Sequence, residues 1–184
     1  MKVILASASP RRQELLKEIF TEFEIMPADV DETLNNEIKA EEAAEYLSRK
    51  KAGYIAENNR GALVIGSDTT VVTDGVILGK PADKADARRM LNMLSGKTHK
   101  VITGVSLYYN EKAFSFSEVT EVKFFKLSDK EIEAYLETDE WSDKAGAYGI
   151  QGKAGLFVEK INGDYNNVVG LPVARLNRVL KEII

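Results

Sequence analysis

The chain has 184 residues, 44% of them hydrophobic, and a net charge of −4. This length and composition predict a single domain over residues 1–184 and exclude a disordered chain. The charge argues against a protein that coats nucleic acid, which needs a basic surface. The chain contains no cysteine, which excludes disulfides and thiolate chemistry, and its apolar runs are too short to span a membrane. No signal-peptide pattern precedes the first strand, so we expect a cytoplasmic protein.

The first predicted elements are a strand, Lys2–Ala6, and a helix, Pro10–Phe20. Ser9 is suited to the N-cap, and the proline after it to the first helical position. Arg11 and Arg12 then lie in the first turn, where the helix dipole disfavours cations. A bound anion would remove this conflict, because backbone N–H groups, the serine hydroxyl and two guanidinium groups can together bind a phosphate. The alternative is a solvated corner with two surface arginines.

An acidic loop, residues 28–33, precedes the second predicted helix, Ala40–Glu57. At 100° per residue, Lys51 falls between Leu47 and Ile55 in the apolar stripe of this helix. Burying an unpaired ammonium is costly, so Lys51 must snorkel, pair with a carboxylate or meet an anion. The acidic loop is either a solvated turn or a source of carboxylate ligands for a divalent cation.

A continuous apolar run, Ala62–Gly66, predicts a central buried strand. Asp68 follows closely, and we place it at the end of this strand, where α/β proteins often hold catalytic groups. An aspartate that only shapes a turn is the alternative. A predicted hairpin, Val71–Leu78, then leads to Gly79-Lys80-Pro81, where the proline forces Lys80 into an extended, exposed conformation.

The remaining predicted elements alternate between helices and strands. They are a helix at Asp83–Leu94, strands at Val101–Tyr109 and Phe114–Lys126, a helix at Asp129–Glu137 with a capping box from Ser128 and Glu131, a closing hairpin at Leu156–Val169, and a last helix that begins at Pro172. His99, the only histidine, is expected to be structural. Glycines recur every third residue from Gly146 to Gly155, which predicts a loop whose backbone approaches other groups closely. Gln151 in this loop could bond the polar edge of a nucleobase; a loop that crosses the sheet edge is the alternative.

Six segments follow one another along almost the whole chain in a recognisable order. They are Ser7-Ala8-Ser9-Pro10-Arg11-Arg12, Gly66-Ser67-Asp68-Thr69, Leu78-Gly79-Lys80-Pro81, Leu94-Ser95-Gly96-Lys97-Thr98-His99, Lys144 to Gly152, and Gly163-Asp164-Tyr165 followed by Gly170-Leu171-Pro172. In this order they resemble the Maf family of small house-cleaning nucleotide pyrophosphatases. We therefore expect an α/β protein with a long mixed, twisted β-sheet flanked by helices, in two lobes with a central cleft.

The resemblance also implies an activity and a site. A nucleoside triphosphate would be hydrolysed to the monophosphate and pyrophosphate by metal-assisted attack of water, in a homodimer. The residues that would bind the phosphates are Ser9, Arg11, Arg12, Lys51 and Lys80. Asp68 would accept the proton of the attacking water, and Glu32 and Asp68 would hold Mg²⁺ or Mn²⁺.

The same resemblance points to a branch of the family. Arg12, Thr69 and Gln151 match the branch that hydrolyses dTTP and UTP, with modified pyrimidine nucleotides as further substrates. The alternative is a regulator of septum formation that binds a nucleotide, a nucleic acid or a division protein without turnover. The two acids Glu32 and Asp68 favour the enzyme, because a plain binder of polyanions does not need them.

Overall fold

The computed structural model describes residues 1–184 and contains seven strands and six α-helices. The strands are β1 (Val3–Leu5), β2 (Glu24–Ile25), β3 (Leu63–Thr73), β4 (Val76–Leu78), β5 (Thr98–Tyr109), β6 (Lys112–Phe124) and β7 (Val158–Asn162). The helices are α1 (Pro10–Leu16), α2 (Ala43–Ala56), α3 (Lys84–Leu94), α4 (Asp129–Leu136), α5 (Tyr165–Val169) and α6 (Val173–Ile183), with short 3-10 helices at Ala40–Glu42, Ala145–Ala147 and Lys153–Phe157. None of the helices is both long enough and apolar enough to cross a membrane.

The seven strands form one mixed sheet in the order β2-β1-β3-β5-β6-β7, with β4 also paired to β3. Strand β1 runs parallel to β2 and β3, whereas β4 is antiparallel to β3 and β7 is antiparallel to β6. The mixed sheet predicted from the sequence is therefore confirmed.

The chain divides into two compact units. The first contains Met1–Thr69, Thr103–Glu118 and Gly170–Ile184, and the second contains Thr70–Ile102 and Val119–Val169. In the first unit, apolar side chains of β1, β3 and α2 form a core: Ile4, Ala6, Ala52, Ile55, Ala62 and Val64. The second unit has an aromatic core in which the rings of Phe124, Tyr148, Phe157, Tyr135 and His99 meet edge to face.

Two glycines in the first unit allow α2 to pack directly against the sheet. A Cβ atom added at Gly66 in β3 would lie 2.5 Å from the backbone oxygen of Ser48, and one added at Gly104 in β5 would lie 2.3 Å from the backbone nitrogen of Glu45. Both distances are far below van der Waals contact. The glycines therefore set the depth at which α2, which carries Lys51, lies on the strands.

The prediction that the central strand ends near Gly66 is wrong, because β3 continues to Thr73. Residues 63–65 pair with β1, and residues 71–73 pair with β4. Asp68 lies between these two pairings, in the middle of the strand. The threonines and valines that follow it are β-branched and favour an extended backbone, a signal that the apolar run alone did not contain.

The second half of the predicted closing hairpin is also wrong, because Tyr165–Val169 is helix α5. The carboxylate of Asp164 accepts a hydrogen bond from the backbone N–H of Asn166 at 2.9 Å, which is typical of a helix start. Asn167 is buried and donates to the backbone oxygen of Val101 at 3.1 Å. The two asparagines disfavour a strand and supply polar contacts that hold the helix.

Candidate active site

The beginning of α1 has the predicted cap. Ser9 is the N-cap residue, its hydroxyl accepts a hydrogen bond from the backbone N–H of Arg12 at 3.4 Å, and a proline occupies the first turn. No acidic residue lies in that turn. The positive end of the helix dipole therefore has only cations beside it from its own helix, and anion binding at this corner stays a prediction.

The guanidinium group of Arg12 is held by three acceptors. Its Nε donates to the backbone oxygen of Gly170 at 2.9 Å, one Nη to the hydroxyl of Ser7 at 3.2 Å, and the other Nη to the hydroxyl of Thr69 at 3.0 Å. The φ of Gly170 is +136°, a conformation that favours glycine. An arginine has five N–H groups, so at most two of those of Arg12 remain for a ligand.

The charges around Arg12 connect it to the two predicted acids. Burial lowers the pKa of Arg12, and the positive charge of Arg11 lowers it further, whereas the negative charges of Asp68 and Glu32 raise it. The charges of Arg11, Asp68 and Glu32 therefore act on Arg12, and all four residues lie in the first unit.

Lys51 forms the centre of this site. Its Nζ lies 2.5 Å from Asp68 Oδ1 and 3.0 Å from Glu32 Oε1. The side chains of Lys51 and Asp68 are each 12% exposed, and that of Glu32 is 56% exposed. The sequence allowed Lys51 to snorkel, to pair with a carboxylate or to meet an anion. In the structure it pairs with two carboxylates. The neighbouring Lys50 donates to the backbone oxygen of Asp31, so two successive lysines of α2 hold the acidic loop.

The donor set fits a divalent cation of the Mg²⁺ type. Glu32 and Asp68 both lie next to the same ammonium nitrogen, so their oxygens already surround a position of positive charge. The structure has no cluster of three or more histidine, cysteine, aspartate or glutamate side chains that could hold a metal ion, so the two carboxylates would need other ligands beside them. Two carboxylates completed by water and substrate phosphates are a common environment for Mg²⁺.

Lys80 and Gln151 belong to the second unit. The Lys80 side chain is 66% exposed, as predicted, and its Nζ lies 2.6 Å from a carboxylate oxygen of Asp143. Gln151 is exposed in the glycine-rich loop. Tyr148, in the same loop, is buried and hydrogen-bonded to His99 Nε2 at 2.7 Å, so His99 packs in the core as predicted.

The glycine-rich loop has the close backbone contacts that its spacing predicted. A Cβ atom at Gly149 would lie 2.5 Å from the side chain of Lys144, and one at Gly152 would lie 2.1 Å from the carboxylate of Glu140. The same carboxylate accepts a hydrogen bond from the backbone N–H of Lys153 at 2.8 Å. Side chains of Lys144 and Glu140 therefore lie close to the backbone on both sides of Gln151.

Sequence reasoning missed three residues of the site. Ser7 and Gly170 accept hydrogen bonds from Arg12; both lie in the segments that carry the family resemblance, so their position was visible but their role was not. Thr103 lies in β5, 2.9 Å from Thr69 through the two hydroxyl oxygens. Its sequence context gave no signal, because a threonine in a long strand is typical of any sheet.

Known proteins resemble this chain along almost its whole length. The family model described as Maf-like protein matches residues 2–183. The chain belongs to this family. Proteins named dTTP/UTP pyrophosphatase from Bacillus anthracis and Bacillus cytotoxicus are 49% and 50% identical to it over 181 residues, which cover 98% of this chain and 95% of each relative.

Two solved structures are similar in fold to this member of the family. A HAM1 protein from Coxiella burnetii has a TM-score of 0.55 at 16% identity, and the Ham1 protein of Staphylococcus aureus has a TM-score of 0.53 at 14% identity. In both cases the match covers 99% of each chain. At these identities the likeness supports the predicted α/β fold and says nothing about activity.

Proposed function

We propose that this protein hydrolyses dTTP and UTP between the α- and β-phosphates and releases the nucleoside monophosphate and pyrophosphate. The observation that carries the proposal is the contact of Lys51 with both Asp68 and Glu32. It combines a phosphate-binding cation, a base and metal ligands in a chain that is 49–50% identical to proteins named dTTP/UTP pyrophosphatase. Removal of surplus or modified pyrimidine triphosphates is the corresponding cellular role.

Cations and backbone N–H groups bind the triphosphate in this proposal. The groups concerned are the N-terminal end of α1 with Ser9, Arg11 and Arg12, and the ammonium groups of Lys51 and Lys80. Because the whole chain has a net charge of −4, the attraction for a triphosphate must come from individual cations and not from the overall charge. They neutralise the oxygens on which charge develops as the bridging bond breaks.

Asp68 is the proposed general base. Its Oδ1 is held by Lys51, which fixes the plane of the carboxylate and leaves the second oxygen to accept a proton from water. Glu32 and Asp68 are the proposed ligands of Mg²⁺ or Mn²⁺. Such a cation, when bound, lowers the pKa of water and screens phosphate charge.

Arg12, Thr69 and Gln151 are the proposed readers of the base. A guanidinium nitrogen of Arg12 donates a hydrogen bond to the hydroxyl of Thr69 at 3.0 Å, so the two side chains offer a ligand one connected set of donors and acceptors. Gln151, in the second unit, has an amide with both a donor and an acceptor, and the family resemblance supports its part in reading the base. Donors and acceptors of these kinds suit uracil and thymine, whose ring edges alternate carbonyl oxygens with an N–H group.

Product analysis with a panel of nucleoside triphosphates tests the proposal. With Mn²⁺ or Mg²⁺ present, we expect pyrophosphate release from dTTP and UTP to exceed that from purine triphosphates. Asp68→Asn should lower kcat by a factor of about a thousand or more while nucleotide binding is kept, because the base is lost but the cations remain. Nucleotide binding by the wild-type protein without turnover of any triphosphate would contradict the enzyme and favour a binding regulator.

Glu32→Gln tests the proposed metal ligand separately. Removing one of two carboxylates should weaken Mn²⁺ binding by about tenfold or more, measured by calorimetry without nucleotide. Asp29→Asn is the matched control, because Asp29 is exposed in the same acidic loop and has the same charge. An equal loss of Mn²⁺ affinity in both variants would show that only the net charge of the loop matters.

We further propose that the protein is a homodimer, as the family resemblance implies. Light scattering coupled to gel filtration should then give a mass of about twice the 20.4 kDa of one chain. A mass of one chain at micromolar concentration would contradict the dimer. The cytoplasmic location predicted from the sequence stays a prediction.

A further inference from the structure

The hydroxyl of Thr69 makes two hydrogen bonds inside the first unit. It accepts from a guanidinium nitrogen of Arg12 at 3.0 Å, and its oxygen lies 2.9 Å from the hydroxyl oxygen of Thr103. Thr103 is completely buried and lies in β5, the neighbour of β3 in the sheet. A buried hydroxyl of the neighbouring strand β5 therefore contacts the proposed base-reading pair.

The chemistry of a hydroxyl limits what Thr69 can still do. A threonine hydroxyl has one proton to donate and two lone pairs to accept. Arg12 can only donate, so it occupies one lone pair of Thr69. Thr103 then takes either the proton of Thr69 or its second lone pair, and only one hydrogen-bonding position remains for a ligand.

The kind of position that remains decides which base edge fits. If Thr103 donates to Thr69, the proton of Thr69 is available for a carbonyl oxygen of the ligand; if Thr103 accepts, Thr69 can only accept from the ligand. Uracil and thymine carry a carbonyl at C4, where cytosine carries an amino group. A hydroxyl of fixed polarity distinguishes these groups, whereas a freely rotating hydroxyl bonds to either.

We propose that Thr103 is a positioning residue for base recognition, which donates its proton to Thr69, leaves the proton of Thr69 for a carbonyl oxygen of the ligand, and so contributes to the preference for uracil and thymine over cytosine. The proposal rests on the proposed function, in which Arg12 and Thr69 read the base. Thr103 does not touch the substrate and acts through Thr69.

Thr103→Val is the decisive variant, because valine has the shape of threonine without the hydroxyl. The measured quantity is the ratio of kcat/KM for dTTP to kcat/KM for dCTP. We expect this ratio to fall by about tenfold, the usual effect of one hydrogen bond, mainly through a higher KM for dTTP and a lower KM for dCTP. The ratio of the kcat/KM values for two substrates, measured on one preparation, does not depend on the fraction of folded protein. A purely structural role of Thr103 would therefore not change it.

Two controls make the result specific. Thr103→Ser keeps the hydroxyl and should keep the wild-type ratio within about twofold. Thr73→Val makes the same chemical change at a buried threonine of β3 whose hydroxyl has no hydrogen-bond partner, and it should also keep the ratio. If Thr103→Val fails to fold, Thr103→Ala and Thr103→Ser differ by one hydroxyl and give the same comparison.

The outcomes separate this proposal from the proposed function. A wild-type enzyme that releases pyrophosphate from dTTP, together with an unchanged dTTP/dCTP ratio in Thr103→Val, would overturn the role of Thr103 and leave the activity intact. An equal fall of the ratio in Thr73→Val would overturn it as well, because the effect would then be general to the sheet. If the wild-type protein releases no pyrophosphate from any pyrimidine triphosphate, the proposed function fails and the role of Thr103 fails with it.

Discussion

At the scale of single residues, the ammonium of Lys51 is the feature on which the proposed site depends. It lies in a mostly buried position with two carboxylates as partners, Asp68 at 2.5 Å and Glu32 at 3.0 Å. Removing one partner of a buried pair leaves the other charge uncompensated, which costs more than the pair itself contributes. The same side chain therefore serves both the stability of the folded chain and the charge of the site.

Lys51→Met should lower the free energy of unfolding by about 3 kcal/mol, because Asp68 would stay buried without its ammonium. Urea unfolding at neutral pH measures this loss. The double variant Lys51→Met with Asp68→Asn should recover part of it, since neither charge is then left alone. Wild-type stability in the single variant would contradict the buried pair.

The sequence predicted the position of Lys51 but not its partners. The apolar stripe of α2 showed that its side chain begins on the buried face, and a buried lysine needs a counter-charge. Which counter-charge it meets depends on the path of β3 through Asp68, and the apolar run Ala62–Gly66 gave no information about that path. The hydrogen bonds that link Arg12 to Thr69 and Thr69 to Thr103 could not be predicted either, because they join an arginine of α1 to side chains of two different strands.

At the scale of elements, the packing of α2 on the sheet determines where Lys51 lies. Gly66 and Gly104 bring the backbone of this helix to within a distance that no Cβ atom allows. Sequence patterns predicted the elements well where local chemistry decides, as at the N-cap Ser9 and the capping box of Ser128 and Glu131. They failed at α5, where the side chain of Asn167 forms hydrogen bonds with residues far along the chain.

Gly104→Ala should lower the free energy of unfolding by about 2 kcal/mol or more and also lower kcat, because the added methyl group pushes α2 and Lys51 away from β3. Urea unfolding and steady-state kinetics measure the two effects. Gly79→Ala is the control for stability, since a Cβ atom there meets nothing within 4 Å. Equal stability of the two variants would contradict the close packing of α2.

The aromatic core of the second unit predicts a dependence of stability on pH. Burial lowers the pKa of His99 from 6.5 to about 4, so between these pH values the unfolded chain binds more protons than the folded chain. The free energy of unfolding should therefore fall as the pH is lowered through this range. Between pH 7 and pH 5 the fall should be about 2 kcal/mol larger in the wild type than in His99→Gln, which keeps a polar group for Tyr148 but does not titrate.

Urea unfolding of both proteins at the two pH values measures this difference. Other groups that titrate in the range contribute to both proteins and cancel in the comparison. The same pH dependence in wild type and His99→Gln would show that His99 is not held neutral in the folded chain.

At the scale of the whole molecule, the sequence predicts one domain over residues 1–184, and the family model spans residues 2–183. Three of the four boundaries between the two compact units fall within the strands β3, β5 and β6. A strand cannot lose half of its pairing without disturbing the rest. We therefore expect one cooperative unfolding transition.

Two probes measured along one urea titration test this expectation. Trp141, the only tryptophan, reports on the second unit, and far-ultraviolet circular dichroism reports on the whole chain. The two curves should coincide, with one midpoint. Separate midpoints would show that the two units unfold independently.

The order of short segments along the whole chain predicted the family and the mixed sheet, because each segment combines turn chemistry with charged residues in a fixed succession. Pairwise geometry within the site needed the structure. Residue types and spacing place Arg12, Lys51 and Asp68 on a helix start, a helix face and a strand, and only the packing of α1, α2 and β3 determines their distances.

The most direct test of the central claim is phosphorus NMR of samples withdrawn while the wild-type protein hydrolyses dTTP in the presence of Mn²⁺. The Mn²⁺ is removed from each sample before its spectrum is recorded. The proposed reaction produces dTMP and pyrophosphate in equal amounts, and Asp68→Asn produces neither at a comparable rate. The formation of dTDP and orthophosphate as first products would contradict cleavage between the α- and β-phosphates.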